Sequence, residues 1–117
     1  MARATLSALR RRPSGSIINV ASQLGKFGAG QYVAYCATKF GVVGLTEALA
    51  AELAGTDVRV WAVCPGLVDT PMARRAVGVS ARERAALLRP EAVARVIVDL
   101  ATGRRRVASG AAVDVLR

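Results

Sequence analysis

The sequence predicts an α/β fold built on a parallel sheet, and three observations carry that expectation. Ile17-Ile18-Asn19-Val20-Ala21 is a short, nearly continuous apolar run. A helical pattern follows over residues 31–53, and Val58-Arg59-Val60-Trp61-Ala62-Val63 is a second apolar run. Two apolar strands joined by one long helix form a βαβ unit, with parallel strands and a right-handed crossover. At 117 residues and 53% hydrophobic content, the chain suffices for one small packed domain and not for two.

Residues 1–16 are rich in Arg, contain Ser and lack acids, as transit peptides do. The reading preferred here is the end of an amphipathic helix, with Ala2, Leu6 and Leu9 on one face. Pro13-Ser14-Gly15-Ser16 is a turn cluster that leads into the first strand. That strand has the composition of one buried on both faces. Residues 22–30 are loop-like, with Gly25, Gly28 and Gly30. In the helix that follows, Val33, Ala37, Phe40, Val43, Ala48 and Ala51 recur at threes and fours, until Gly55-Thr56-Asp57 stops it. The second strand ends at Pro65-Gly66. Residues 71–88 read as a helical or irregular excursion rich in Arg and Ala. A helix over 90–101 starts with Pro90 and Glu91 in its first turn and puts Val93, Val96, Ile97 and Leu100 on one face. Residues 105–108 are expected to form a last short strand.

Charge and composition exclude several functions. The net charge is +9, yet 15 of the 17 basic residues are Arg and aromatics make up only 4%. Without interleaved aromatics, the triplets Arg10-Arg11-Arg12 and Arg104-Arg105-Arg106 read as solvated helix ends, not as a nucleic-acid surface. No run of 18 apolar residues is present, so no membrane span is expected. With no His and two Cys, a metal site is not expected. Cys36 and Cys64 could form one disulfide, but two buried thiols in a reducing cytoplasm is the expected state.

The chemistry-bearing residues gather at one end of the βαβ unit. In open parallel sheets, ligands bind beyond the carboxyl ends of the strands. Ser22 follows the first strand, Pro65-Gly66 follows the second, and Tyr35 lies near the start of the crossover helix. Lys39 stands four residues after Tyr35, on the same helix face. A Lys ammonium one turn away favours the phenolate, which makes Tyr a better proton shuttle near neutral pH. A Ser hydroxyl can hold a substrate oxygen beside the phenol. This set can move a proton to or from a carbonyl or alcohol oxygen. It cannot carry a hydride, which a redox cofactor must supply.

Ile17 to Ser22, Tyr35-Cys36-Ala37-Thr38-Lys39 thirteen residues after Ser22, and Val63-Cys64-Pro65-Gly66-Leu67-Val68-Asp69-Thr70-Pro71-Met72 occur in order. Together they resemble the fifth strand, the YxxxK helix and the sixth strand with its PG-x-V-x-T loop in the short-chain dehydrogenase/reductase (SDR) family. Ala48 to Leu53 resembles the end of that helix, so the resemblance covers about residues 15–72. It implies a Rossmann-like doubly wound parallel sheet and hydride transfer between NAD or NADP and a small-molecule carbonyl or alcohol substrate. Ser22, Tyr35 and Lys39 would be catalytic. Tyr35 and Lys39 would also bind cofactor, together with Pro65, Gly66, Val68 and Thr70. The crossover helix carries Val42, Val43, Leu45 and Leu49 on more than one face, and homo-oligomers through this helix are common in the family it resembles, so a homo-oligomer is expected.

The family's opening strand, its TGxxxGxG turn, its NNAG motif and its catalytic Asn have no counterpart in residues 1–117. Residues 2–12 match only the tail of the helix that precedes the Ser strand. The expectation is therefore a partial Rossmann-like domain, the C-terminal half, with a βαβ core plus extra helices and little activity alone. A non-catalytic remnant that associates with an intact reductase is the alternative.

Overall fold

The computed structural model describes residues 2–9 and 14–116. Arg10-Arg11-Arg12 and Pro13, singled out above, lie outside the described residues. The elements are α1 (Ala2–Leu9), β1 (Gly15–Val20), a 3-10 turn (Gln23–Gly25), α2 (Val33–Glu52), β2 (Val58–Pro65), α3 (Pro71–Val77), α4 (Ala81–Arg84), α5 (Pro90–Ala101) and β3 (Ala112–Val115). The strands form one parallel sheet in the order β1-β2-β3. In β1–β2 the register pairs Gly15 with Val58 and Val20 with Val63. The expected βαβ unit is thus present, flanked by helices on both faces, as in part of a doubly wound sheet.

Strand alternation sorts the core between the two faces. Val58 and Val60 of β2 pack with Leu53, Leu6 and Leu9, under α1 and the end of α2. Ala62 and Cys64 continue that face beneath Val42 and Val43 of α2. Trp61 and Val63 point the other way, toward Leu88, Leu100, Val113 and Val115, with Val93, Val96 and Ile97 of α5 packed against them. The α5 face is the one its spacing predicts. Pro90 sits in the first turn, where a missing N–H costs nothing, and Glu91 faces the positive end of the helix dipole.

Two expectations need correction. Residues 105–108 are not a strand; the last strand begins at Ala112. The backbone of 107–110 bonds to β2 in another way. The carbonyls of Val107 and Ala108 both accept from Trp61 Nε1 at 3.1 Å, and Ser109 Oγ accepts from Val60 N at 2.9 Å. Gly110, at φ 92°, then turns the chain into β3. Secondly, β1 is half-buried along most of its length, and Val20 is exposed. Among the described residues only β2 pairs with it, so its other edge is open. Of the apolar positions that recur along α2, Val33, Ala37, Phe40, Ala48 and Ala51 face outward and Val43 packs on the sheet. The sheet-facing side of α2 runs instead through Cys36, Val42, Val43, Thr46, Leu49 and Ala50. A helix that is apolar round most of its circumference offers several stripes of equal merit, and periodicity cannot choose among them.

By length and composition α2 could cross a bilayer. Its contacts tie it to the sheet. Thr46 is fully buried, donates to Val42 O at 2.8 Å and accepts from Asn19 Nδ2 of β1 at 2.9 Å. This bond fixes how α2 is rotated and slid along β1. Thr46→Val keeps the shape and leaves the Asn19 amide without this partner. It is expected to lower unfolding stability by about 1–3 kcal/mol in urea titrations followed by Trp61 fluorescence.

Candidate functional site

The carboxyl ends of β1 and β2 and the first two turns of α2 meet at one edge of the sheet. Parallel pairing requires this, because a helix that returns the chain to the start of β2 must begin where β1 ends. Ser22 caps the 3-10 turn, and its Oγ accepts from Leu24 N at 3.1 Å. That bond occupies one lone pair, fixes the side chain and leaves the hydroxyl proton free to donate elsewhere.

Tyr35 is the third residue of α2, and its side chain is partly solvent-exposed. Lys39 lies one turn on, its Nζ 5.6 Å from the centre of the Tyr35 ring. The same ammonium donates to Val20 O at 3.2 Å. Lys39 therefore joins the Tyr35 ring to the last residue of β1, two positions before Ser22. Gly25 locks the turn against the helix. A Cβ there would stand 2.7 Å from Lys39 O and 3.0 Å from Lys39 C, both backbone atoms. Only glycine permits so close an approach.

The loop after β2 forms the other wall. Pro65 is buried, and Gly66 N donates to Val115 O at 3.2 Å. A Cβ on Gly66 would lie 3.8 Å from Gln23 Oε1, which sets this loop beside the turn that Ser22 caps. Val68 bridges to Leu88, and Thr70 caps α3 by accepting from Ala73 N at 3.2 Å. The sequence-derived residues thus lie at the carboxyl ends of β1 and β2, with Ser22, Tyr35 and Lys39 on the α2 side, Pro65 at the end of β2, and Gly66, Val68 and Thr70 along the loop after it.

Charged contacts brace this edge. Lys26, just past the turn, pairs with Asp114 of β3 at 3.0 Å. Asp69 accepts from Arg74 at 2.7 Å and from Arg84 at 3.4 Å. The Arg74 hydrogen bond, seconded by Arg84, holds the Asp69 carboxyl below its ordinary value. Beneath the site, burial pushes the Cys64 thiol up, against the opposing pull of Lys26. Cys36 and Cys64 are both free and buried. Sequence reasoning missed Lys26, Asp69, Leu88 and Asp114. For Asp69 a signal existed, an acid five residues before Arg74 at a helix start. The others depend on chain crossings that no local pattern reports. A shallow cleft of about 810 Å³ at the opposite end, beside Ser16, Arg59 and Arg105, contains none of the candidate residues.

Comparison with known proteins adds family context. The family model for short chain dehydrogenases matches residues 1–78. The chain is 38% identical over 112 residues to the 3-oxoacyl-[acyl-carrier-protein] reductase FabG of Thermotoga maritima, covering 90% of this chain and 45% of that protein. It is 40% identical over 103 residues to the inactive 2-(S)-hydroxypropyl-CoM dehydrogenase 2 of Xanthobacter autotrophicus, covering 87% and 42%. A solved structure from Escherichia coli CFT073, assigned to the short chain dehydrogenases and complexed with NADPH, superposes with a TM-score of 0.85 at 26% identity, covering 99% and 47%. The chain thus spans about half the length of these relatives or less.

Gly25→Ala tests the close contact that holds the Ser22 turn against Lys39. The forced shift is expected to cost about 1–3 kcal/mol of unfolding free energy. Calorimetric melting of the variant and the parent chain checks this, and an unchanged midpoint would contradict the contact.

Proposed function

This chain belongs to the short chain dehydrogenase family, and from that premise we propose that it is an SDR-type oxidoreductase that moves a hydride between NAD(P) and a carbonyl or alcohol. The observation that carries the reading is Lys39, which contacts both the Tyr35 ring and the end of β1 beside Ser22. NADPH in the E. coli relative supports the cofactor class. The proposed substrate is a small-molecule ketone or secondary alcohol, in keeping with the FabG relative, whose name specifies a 3-oxoacyl reduction.

The residues present fit a nicotinamide nucleotide by their chemistry. Two hydroxyls and one ammonium face a single strand-end edge. Gly66 presents bare backbone between Gln23 and Leu88. Lys39, anchored at Val20 O through one proton, has two more for the ribose hydroxyls. Pro65, Gly66, Val68 and Thr70 line the β2 side. When bound, the cofactor supplies or accepts the hydride at the substrate carbon.

The proton work falls to this chain. In the reductive direction, Tyr35 gives its hydroxyl proton to the substrate oxygen, and in the oxidative direction it takes that proton back. Ser22, its Oγ fixed by Leu24 N, donates its own proton to the same oxygen and orients it. The Lys39 ammonium, 5.6 Å from the centre of the Tyr35 ring, places a positive charge beside that ring.

The segment is proposed to correspond to the C-terminal half of the family fold, a single partial NAD(P)-binding domain. A cytoplasmic location is proposed from the two free thiols. A second copy of the chain is proposed to cover the outward face of α2, where Val33, Phe40 and Leu45 are exposed. One specific finding favours the second reading, a non-catalytic protein that associates with an intact reductase: the similarity to a relative named inactive.

Ketone-dependent oxidation of NADPH by the parent chain separates the two readings, and in a preparation that shows it Tyr35→Phe tests the proton step. The variant is expected to lose at least about 100-fold in turnover while NADPH still binds. Retained turnover would remove Tyr35 from the proton step. Absence of ketone-dependent NADPH oxidation by the parent chain would favour the non-catalytic reading.

A further inference from the structure

One carboxylate joins the loop that leaves β2 to both helices of the Arg-rich segment behind it. Asp69 Oδ1 accepts from Arg74 Nε at 2.7 Å and from Arg84 Nε at 3.4 Å, and its Oδ2 accepts from Arg84 Nη2 at 3.4 Å. Arg74 belongs to α3 and Arg84 ends α4. The backbone closes the same loop. Asp69 N donates to Leu88 O at 2.8 Å, and Leu88 N donates to Leu67 O at 3.0 Å. Residues 70–87 therefore leave and return at one place, next to Pro65-Gly66.

Little apolar packing holds this excursion down. Ala73 is the buried residue of α3, and α4 has none. Met72 and Val77 are exposed. The segment 71–89 carries five Arg against the single acid Glu83, and Glu83 is taken up in the capping box of α4. With so little burial and so much like charge, the position of α3 and α4 depends on where their cations find a counter-charge.

We propose that Asp69 is a positioning residue, a clasp that holds α3 and α4 in one place against the strand-end loop and so gives the segment beside Pro65-Gly66 one shape. Each ion pair is partly solvated and weak by itself. Sharing one carboxylate between two helices makes them act together. Loss of the charge frees Arg74 and Arg84 at once, and the repulsion among the five Arg then favours a segment lifted from the loop. The clasp stands on geometry alone. Its bearing on substrate binding rests on the function proposed above.

Limited trypsin digestion of the native protein, with fragments identified by mass, tests the clasp without any need for turnover. The segment offers cuts after Arg74, Arg75, Arg82 and Arg84, while Arg95 and Arg104 to Arg106 serve as internal controls. Asp69→Asn keeps the shape and removes the charge. It is expected to speed cleavage within the segment by about fivefold and to leave the controls within about twofold, in line with a weak surface network. Asp69→Glu is expected to restore protection. Sodium chloride at about 0.5 M is expected to speed cleavage in the parent chain and, by screening the repulsion among the Arg, not to speed it in Asp69→Asn. Equal cleavage of variant and parent, uniform acceleration at every site, or failure of Asp69→Glu to rescue would each overturn the clasp. In a preparation active on a ketone, Asp69→Asn is expected to raise KM several-fold with kcat little changed. A normal KM beside an opened segment would overturn the link to the site and leave the family reading untouched.

Discussion

The parallel pairing of β1 with β2 is the constraint on which the rest of the structure depends. It obliges the chain to return across the sheet, and the return helix must start where β1 ends. Ser22, Tyr35, Lys39 and the Pro65-Gly66 loop therefore share an edge although up to 44 residues separate them in sequence. Two contacts turn that topology into a defined geometry. The Asn19–Thr46 hydrogen bond sets the rotation of α2 on β1, and the missing side chain of Gly25 lets the turn settle onto the Lys39 backbone. Lys39 then reaches the carbonyl of Val20 without further adjustment.

Packing is uneven across the sheet. β2 is buried along nearly all of its length, with helices on both sides, whereas β1 is half-exposed and open along one edge among the described residues. The solved relative extends to roughly twice this length, and the present chain superposes on 47% of it. The outward face of α2 belongs to the same pattern, with large apolar side chains that nothing in the described residues covers.

Where a residue's environment is set by its near neighbours in sequence, it was legible. Pro90 and Glu91 with the spacing of Val93, Val96, Ile97 and Leu100 located α5 and its buried face. The two apolar runs and the long helix between them gave the crossover, and the crossover gave the edge at which Ser22, Tyr35 and Lys39 lie. Legibility ended where several local solutions were equivalent or where a distant partner decided. The periodicity of α2 fits more than one face, and only the position of Thr46 under Asn19 selects among them. Val107 and Ala108 look like strand residues, but the indole of Trp61, 46 and 47 residues away, takes their carbonyls. Asp69 reads locally as a residue before a helix cap, and its second arginine arrives only through the fold.

The chain is nearly devoid of lysine, and both lysines it has lie on the candidate edge. Lys26 braces the turn from the β3 side, and Lys39 braces it from the α2 side. Every other side-chain cation is a guanidinium, which acylating reagents and acetyl transfer leave alone. Apart from the terminal amine, the primary amines of this protein are confined to the two posts that support the Ser22 turn. Neutralising an amine by acylation, which on most basic proteins scatters over the surface, would here fall on the architecture of a single edge.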